Sequence, residues 1–428
     1  HTEYRGQVRF SDGTVVIQNF LPMRADMSGT FKLDGSLVLF DRMELTTDGA
    51  RSVITGSADM GNFPEMTYNI NSQVDFPRMR EIFFADDEFS LHGEGDFRGT
   101  WHVFDGGREL TGDFVTPSLG VNDLRFHDMR GSLLWTQDRF ELTRGFARMY
   151  GGDGRFSYTM APLGDQVTPA TYTFDTHYND VDLHSITNFL EVKGLRLAGR
   201  LSGHNVLAWP SGRFADHRGE GEARAAPPEG VSPLGRDVPS SVIEAGVRRA
   251  EAPGPFSKHT PLEPVPVAGD LHYAYGPDWI TIAPGHVATP TTLVEFEGRT
   301  AWGGQSSIPF HVTSADWQES DRLLAGILTA FGSSSQAIEV SGHGTFDGVL
   351  TESFTSPRIE GDFSGDGMRA WRVNWGHVQG HAVIENGYAD ASDVTILTPK
   401  SEITTSGRFS LGYPRDDGGE EINARVIV

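Results

Sequence analysis

The segment "MTYNINSQVDFP", Met66 to Pro77, alternates apolar and polar side chains almost without fault. One parity is apolar apart from a single serine: Met66, Tyr68, Ile70, Ser72, Val74 and Phe76. The other parity is polar: Thr67, Asn69, Asn71, Gln73 and Asp75. A period of two predicts a β-strand with one dry face and one wet face. The segment therefore raises the question of what covers the dry face, the core of a closed sandwich or a molecule other than this protein.

The composition favours an all-β chain. It has 428 residues, 51 of them glycine, with 11% aromatic residues. It contains no long tracts rich in Ala, Leu, Glu and Lys. Such a composition is typical of many short strands joined by tight turns. We therefore predict a mostly β fold.

The charge and the absence of cysteine exclude several classes of protein. The chain has 58 acidic and 35 basic residues and a formal net charge of −23, which would repel a phosphate backbone. We therefore predict no nucleic-acid partner. With no cysteine, the chain has neither disulfides nor thiolate metal sites, and this is compatible with a compartment such as a bacterial periplasm.

The chain repeats three markers in the same order. A glycine opens an alternating strand at four places, Gly29, Gly131, Gly269 and Gly380. A second glycine follows each of these, at Gly56, Gly154, Gly298 and Gly407. The third marker is an alternating strand that runs into a short helix, in "YNINSQVDFPRMREIFF", "YTFDTHYNDVDLHSITNFL" and "IPFHVTSADWQESDRLLAGILTAF". Self-similarity of this kind indicates a repeat architecture.

The three predicted helices have recognisable start signals. Asp75, Asp182 and Asp316 stand where an N-cap is expected, and Pro77 suits a first helical turn. Asp316 and Glu319 also have the spacing of a capping box. The third helix places several apolar residues near one face, namely Trp317, Leu324, Ile327, Leu328 and Phe331. We expect one short amphipathic helix in each complete repeat, lying over an apolar surface.

The markers divide the chain into four repeats. They are a partial first repeat with its closing helix at 1–84, a second at 85–190, a third at 191–331, and a fourth at 332–428 that stops before its helix. The third contains a Pro-rich insertion at about 225–267, predicted to be an exposed loop or a partly disordered excursion, with one or two helical turns around Ser241 to Ala250. Because the chain begins with His1 and ends within an alternating strand, we expect the natural protein to continue, with any membrane anchor outside this chain.

The dry faces of the predicted strands need a cover. They could pack in a row of β-sandwiches, close as a barrel, curl around a helix, or hold an apolar ligand. The residues predicted to line the dry surface are Phe31, Leu33, Leu37, Leu39, Tyr68, Ile70, Val74, Leu133, Trp135, Phe156, Tyr158, Tyr172, Phe174, Leu271, Tyr273, Ile280, Ile282, Phe310 and Val312.

The order of these segments resembles a known family. The chain is similar to the periplasmic β-groove proteins of the AsmA and TamB type, whose architecture is similar to that of chorein-type bridge-like lipid-transfer proteins. The resemblance rests on "VDF…FF", "VDLHSITNFL" and "ADWQ…LLAGIL", each followed by a glycine-rich strand, "LHGEGDFRGT", "LRLAGRLSG" or "VSGHGTFDGV". It covers nearly all of the chain, and the Pro-rich insertion departs from it.

The resemblance implies a fold and a function. The fold would be a long antiparallel sheet curled into a U-shaped groove, apolar inside and polar outside. The protein would be periplasmic, anchored to the inner membrane, and would hold or conduct phospholipid or other acyl-chain lipids between the inner and outer membranes. Its further partners would be inner- and outer-membrane proteins. The alternative is an extracytoplasmic β-repeat scaffold or accessory subunit of a membrane-associated complex, with a closed core.

Neither an enzyme nor a metal site is predicted. The sequence has no G-x-S-x-G, H-E-x-x-H, P-loop or dinucleotide-binding motif, so we predict no catalytic residues and no cofactor. The closest histidine pair, His377 and His381, would lie about 13 Å apart along a strand, too far to share an ion. The 8 tryptophans do not recur at one repeat position, so we expect them to pack in a core or groove rather than form a carbohydrate platform.

Overall fold

A computed structural model describes the chain at residues 4–16, 20–85, 89–164, 167–189, 196–234, 264–301, 306–330, 337, 340–353, 356–370, 373–410, 419 and 421–427. As predicted, the chain is mostly β. Its contacts divide it into two compact units. Unit 1 comprises His1–Asn179 and His204–Gly219, and unit 2 comprises Asp180–Gly203 and Glu220–Val428. The helical turns predicted around Ser241 to Ala250 lie outside the described residues.

The elements alternate strands with a few short helices. Up to residue 182 they are β1 (Tyr4–Val15), β2 (Met23–Asp34), β3 (Leu37–Thr47), β4 (Ala50–Asp59), β5 (Met66–Asp75), α1 (Phe76–Phe83), β6 (Leu91–Phe104), β7 (Gly107–Val121), β8 (Leu124–Thr136), β9 (Phe140–Met149), β10 (Gly152–Ala161) and β11 (Thr171–Asp182). From there to the Pro-rich insertion they are α2 (Leu183–Phe189), β12 (Leu197–Ala198), β13 (Arg200–Pro210), a 3₁₀ helix (Phe214–Asp216) and β14 (Arg218–Ala226). The remainder are β15 (Val265–Pro266), β16 (Ala268–Tyr275), β17 (Trp279–Ala288), β18 (Thr292–Ala301), β19 (Ser306–Ser314), α3 (Trp317–Ala330), β20 (Ser341–Ser353), β21 (Ser356–Ala370), β22 (Val373–Glu385), β23 (Tyr388–Thr398), β24 (Ser401–Ser410) and β25 (Glu421–Ile427).

Unit 1 is built on one antiparallel meander. Each strand from β1 to β11 pairs with the next strand in the chain. Within the described part of unit 1, no pairing joins β1 to β11, so this sheet does not close on itself. Antiparallel neighbours connected by short turns are what period-two segments separated by glycine and aspartate predict.

Unit 2 contains a second antiparallel meander, from β16 to β25. A separate short parallel pair joins β12 to β15, with Leu197 opposite Val265. The predicted closing strand of the chain is confirmed as β25, which pairs with β24. Among the described residues, buried apolar clusters in this unit are small, and one of them is formed by Ile359, Ile384 and Ala389.

Among the described residues, an α-helix directly follows each of β5, β11 and β19, where the sequence predicted one. The aspartate before each helix accepts a hydrogen bond from a backbone N–H of the first turn, as an N-cap does. Asp75 accepts from Arg78 at 3.0 Å, Asp182 from Ser185 at 2.9 Å and Asp316 from Gln318 at 2.9 Å. None of the helices in the described residues is both long and apolar enough to cross a bilayer.

Glu319 does not complete a capping box with Asp316. Its carboxylate instead accepts hydrogen bonds from the turn between β17 and β18, from the backbone N–H of Thr291 at 3.3 Å and the hydroxyl of Thr292 at 3.3 Å. The hydroxyl of Thr289 donates to the same oxygen. The first turn of α3 is therefore fixed to a neighbouring hairpin, which the helix sequence alone does not specify.

Candidate functional site

In unit 1, the apolar residues of β5 lie opposite apolar residues or glycines of the neighbouring strands, so one side of the sheet is apolar from strand to strand. Tyr68 lies opposite Gly56 on β4 and opposite Trp101 on β6. Trp101 lies opposite Leu110, and Leu110 lies opposite Trp135 on β8. Residues directly opposite in an antiparallel pair project from the same side of the sheet. The side that carries Tyr68, Trp101 and Trp135 is called here the apolar face of unit 1.

Most of the predicted residues in unit 1 lie on this face. Following the register from strand to strand places eleven of them there: Phe31, Leu33, Tyr68, Ile70, Val74, Leu133, Trp135, Phe156, Tyr158, Tyr172 and Phe174. Met160, which shares the predicted dry parity of Phe156 and Tyr158, also lies there. The same register adds residues that the sequence analysis missed, namely Val38, Phe40, Phe97, Trp101, Leu110, Phe114, Phe140 and Leu142. Their strand parity carried the signal, and counting outward from Tyr68 across each turn would have found them.

Leu37 and Leu39 lie on the opposite side of the sheet. The turn between β2 and β3 has two residues, so Asp34 pairs with Leu37 and Lys32 pairs with Leu39. A two-residue turn pairs an even-numbered position with an odd-numbered one, so the dry parity changes from odd to even across it. Leu33 consequently faces Val38. The prediction that Leu37 and Leu39 line the apolar face is therefore wrong, because both lie on the polar side of the sheet.

In unit 2 the six predicted residues share one side of the sheet. Tyr273 lies opposite Ile282, and Phe310 lies opposite Phe296. Val312 lies opposite Phe346, which in turn faces Phe363. The complete set from the sequence is Leu271, Tyr273, Ile280, Ile282, Phe310 and Val312. This side is called here the apolar face of unit 2.

Aromatic rings contact one another along the apolar face of unit 1. The ring centroids of Phe40 and Tyr68 are 5.8 Å apart, and those of Trp101 and Trp135 are 6.5 Å apart. The series continues from Trp135 to Phe140 at 6.2 Å, Phe140 to Tyr158 at 6.2 Å, Tyr158 to Tyr172 at 6.1 Å and Tyr172 to Trp209 at 5.6 Å. These separations are those of favourable tilted or edge-to-face pairs. The face is therefore a packed aromatic surface and not a set of isolated side chains.

Most of the residues predicted to line the apolar faces are half-buried. Among the nineteen predicted residues, Tyr172, at 4% exposure, is fully buried, and the others all keep an intermediate exposure. Side chains between two packed sheets would lose nearly all contact with solvent. Other residues of the same faces are buried, such as Met160 at 3% and Phe97 at 9% in unit 1 and Ile359 at 4% in unit 2. Half-buried and buried side chains therefore occur together on these faces.

Short helices cover part of each face. In unit 1 the ring of Phe83, at the end of α1, lies 5.6 Å from that of Trp135, and Phe84 lies 6.4 Å from Tyr172. Phe20, between β1 and β2, lies 6.1 Å from Trp135. In unit 2 Leu324 of α3 packs on the buried cluster of Ile359, Ile384 and Ala389, as Phe310 and Phe346 of the sheet also do. The cover that each helix provides is local.

Only part of the apolar helix face predicted for α3 packs on the sheet. Leu324 packs on the apolar face of unit 2, whereas Ile327 is exposed at 42%. The indole N–H of Trp317 is buried and has no hydrogen-bond acceptor. The side chain of Leu328 and all of Phe331 lie outside the described residues.

The polar side of unit 2 carries a row of carboxylates and imidazoles. Asp270, His286, Glu295, His311, Asp347, Asp362 and His381 lie opposite one another on consecutive strands. His381 Nδ1 is 2.9 Å from an Asp362 oxygen and its Nε2 is 3.5 Å from a Glu360 oxygen. The hydrogen bond to Asp362 raises the pKa of His381 above its usual value. Nδ1 of His377 lies 2.7 Å from a different carboxylate, that of Asp366, so His377 and His381 belong to separate hydrogen-bonded pairs.

One group of metal-ligating residues comes together on the polar side of unit 1. Asp175, His177 and His204 each place one potential ligand atom within 4.8 Å of the other two. Among the described residues, this is the group of three or more such side chains that is close enough to hold a metal ion. The sequence analysis missed it because His204 is remote in sequence. The spacing Asp-x-His, which puts Asp175 and His177 on one side of a strand, was the available signal.

A scan against protein-family models, a search of curated proteins and a search of solved structures each found no match to this chain.

Proposed function

We propose that this chain is a non-enzymatic lipid-binding protein of the AsmA and TamB type. It holds phospholipid acyl chains along its apolar faces and works in the periplasm, anchored to the inner membrane, in the movement or maintenance of lipid between the inner and outer membranes. The observation that carries the proposal is the half-buried aromatic and aliphatic surface that runs across consecutive strands of unit 1, with Tyr68 and Tyr158 as examples. The order of the repeated segments, described above, supports the family.

The contacts of α1 reach across several strands of the apolar face of unit 1. Phe83 and Phe84 are adjacent in the chain, yet they contact Trp135 on β8 and Tyr172 on β11. Three strand spacings would separate β8 from β11 by about 14 Å in a flat sheet. The two rings together span that distance, so one helix end contacts three strand spacings of the apolar face. A groove requires, in addition, that the sheet bend with its apolar side inward, and this bend is part of the proposal.

The physical basis of binding is hydrophobic. Each acyl CH₂ removed from water contributes about 0.8 kcal/mol, while the headgroup stays in water at the open side of the groove. Because neighbouring strands present similar aromatic and aliphatic side chains, a bound chain can move along the face without a large barrier.

A closed scaffold is the second candidate, and the helices favour it. Phe20 and Phe83 lie 4.8 Å apart and both pack on Trp135, so the protein fills part of its own apolar face. A β-repeat accessory subunit of a membrane-associated complex needs no lipid, and its dry faces would be covered by its own residues.

Mass spectrometry of lipids extracted from the purified protein separates the two candidates. We expect phospholipid in stoichiometric amount, and Phe174→Arg should reduce it strongly, because a guanidinium on the apolar face would have to be desolvated beside an acyl chain. Phe174 faces Tyr158, while its neighbour Thr173 faces Thr159 on the polar side. Thr173→Arg is therefore the matched control and should retain the lipid.

The fold of each variant decides how a loss of lipid is interpreted. In a groove, Phe174→Arg and Tyr68→Arg lose lipid but keep the β spectrum and a cooperative thermal transition. In a closed core the same substitutions unfold the protein, because an unpaired charge would be buried. A well-folded wild-type protein that carries no lipid would refute the conduit and leave the scaffold.

A further inference from the structure

Three potential metal ligands converge on the polar side of unit 1. Asp175 and His177 are two residues apart on β11, so they project from the same side, opposite to Phe174. His204 lies on β13. Its Nε2 is 2.8 Å from Oδ1 of Asp175, and His177 Nε2 is 3.9 Å from the same oxygen. The centroids of the two imidazole rings are 4.0 Å apart and their planes are 6° apart, so the rings stack.

The spacing of these atoms suits a transition-metal ion. Zn²⁺ binds histidine nitrogen and carboxylate oxygen at about 2.0 to 2.2 Å, which places tetrahedral ligand atoms about 3.3 to 3.5 Å apart. The two distances from Asp175 Oδ1, 2.8 Å and 3.9 Å, lie on either side of that value. Coordination of one ion also requires the two stacked rings to rotate apart, so that both in-plane Nε2 lone pairs point at it. His177 has room for this rotation, because its side chain is 65% exposed. Two imidazoles and one carboxylate are a donor set that selects Zn²⁺ and related ions over Ca²⁺ and Mg²⁺.

We propose that Asp175, His177 and His204 form a binding site for Zn²⁺ or a similar divalent transition-metal ion. The side chain of His177 is 65% exposed, so the fourth coordination position is open to water. On binding, the Nε2 atoms of both histidines coordinate through their lone pairs, and any proton they carry passes to solvent. The hydrogen bond between His204 and Asp175 is replaced by two bonds to the ion. The ion thereby links β11 to β13.

The proposal depends on the combination of two histidines with a carboxylate. The polar side of unit 2 offers single histidines with carboxylates, such as His381 between Asp362 and Glu360. Among the described residues those sets do not place three ligand atoms as close together as the Asp175 cluster does. His381 therefore supplies a control that has acidic partners without a second imidazole. The site stands on the face opposite to the proposed lipid surface and does not rest on lipid binding.

Isothermal titration of the metal-free full chain with Zn²⁺ tests the site. We expect the wild-type protein to bind one more ion than His177→Asn and His204→Asn, or to bind that ion at least about tenfold more tightly, since even loss of an outer-shell partner costs 10- to 100-fold. Zn²⁺ should also raise the Tm of the wild-type protein, because it binds only the folded state, and this shift should disappear in both variants. His381→Asn should behave as the wild type does.

Two further measurements distinguish loss of the metal site from loss of the fold. Co²⁺ bound at the site should give the intense visible absorption of four-coordinate cobalt, which Asp175→Asn should weaken while far-UV circular dichroism stays unchanged. His177 is exposed, so His177→Asn tests the site without disturbing packing. Equal stoichiometry and affinity in the wild type, His177→Asn and His204→Asn would overturn the proposal, as would a wild-type protein that binds no Zn²⁺.

Discussion

At the scale of the residue, glycines at equivalent repeat positions serve different purposes. A Cβ on Gly56 would lie 2.2 Å from the backbone oxygen of Thr67 and 2.8 Å from Cα of Tyr68. Both obstacles are backbone atoms of the neighbouring strand β5, which cannot move without disturbing the ladder. A Cβ on Gly154 would meet nothing closer than the sulfur of Met149 at 3.5 Å. The same repeat marker is thus a steric requirement in one strand and not in another.

This difference predicts opposite effects of alanine at the two positions. Gly56→Ala should lower the free energy of unfolding by about 1 to 3 kcal/mol, as overpacking does. Gly154→Ala should leave stability unchanged or raise it by up to about 1 kcal/mol, because it reduces the entropy of the unfolded chain. Urea denaturation of the two variants beside the wild type measures both effects. Equal losses at both positions would show that the β5 backbone does not decide the cost.

The side of the sheet on which a residue lies could be predicted only within one strand, where odd and even positions alternate between the two faces. Period two placed Tyr68, Ile70 and Val74 on one side without error, because they share a strand. It failed for Leu37 and Leu39, since a two-residue turn intervenes. It also missed the contact between His177 and His204, because only the fold brings these residues from separate strands to one place.

At the scale of the element, the helix starts are local and therefore predictable. The three capping aspartates lie within three residues of the N–H groups they accept from. Glu319 has its partners on a hairpin about thirty residues earlier in the chain, so its role follows from tertiary structure. The hydroxyl of Ser320 in the same turn lies 2.7 Å from those of Thr292 and Ser314, and Ser314 is 1% exposed. Local signals set where α3 begins, and the hairpin sets where it packs.

Substitutions of Asp316 test how much the local N-cap and the burial of its carboxylate each contribute to stability at the start of α3. Burial raises the pKa of its carboxyl, with the nearby Glu319 adding to the effect, because the charged form loses hydration. Asp316→Asn keeps an oxygen to accept from Gln318 and removes the buried charge, so at pH 7 it should be at least as stable as the wild type. Asp316→Ala loses the cap and should cost about 1 kcal/mol.

The pH dependence of these variants follows from the sign of the shift. The folded protein holds the Asp316 proton at higher pH than the unfolded chain does, so this group lowers stability as pH rises from its unfolded pKa to its raised folded pKa. Asp316→Asn should lack that decline. Thermal unfolding of the wild type and Asp316→Asn across this acidic window measures the difference. Parallel curves for the two proteins would contradict the assignment.

At the scale of the whole molecule, the mostly β class could be predicted from the sequence. The two compact units, however, do not begin and end where the predicted repeats do. The sequence markers change repeat at residue 84, directly after α1, and at residue 331, which lies outside the described residues. The sheet does not stop there, because β5 pairs with β6 across the first boundary and β19 pairs with β20 across the second. A helix inserted between two strands leaves their hydrogen-bonded ladder intact. A repeat boundary in the sequence is therefore not a boundary in packing.

The tryptophans of unit 1 report on whether lipid occupies its apolar face. Trp101, Trp135 and Trp209 all take part in the aromatic series of that face. In unit 2, Trp279 lies under the guanidinium of Arg299, 5.4 Å from the ring centroid, on the polar side. Phospholipid brominated on its acyl chains quenches indole fluorescence on contact. Because an acyl chain on the apolar face would touch Trp101 and Trp135, replacing both with phenylalanine should remove a large part of the quenching, whereas Trp279→Phe should leave the quenched component intact. Quenching that is undiminished when Trp101, Trp135 and Trp209 are all replaced would place any bound lipid away from this face and favour the closed scaffold for unit 1.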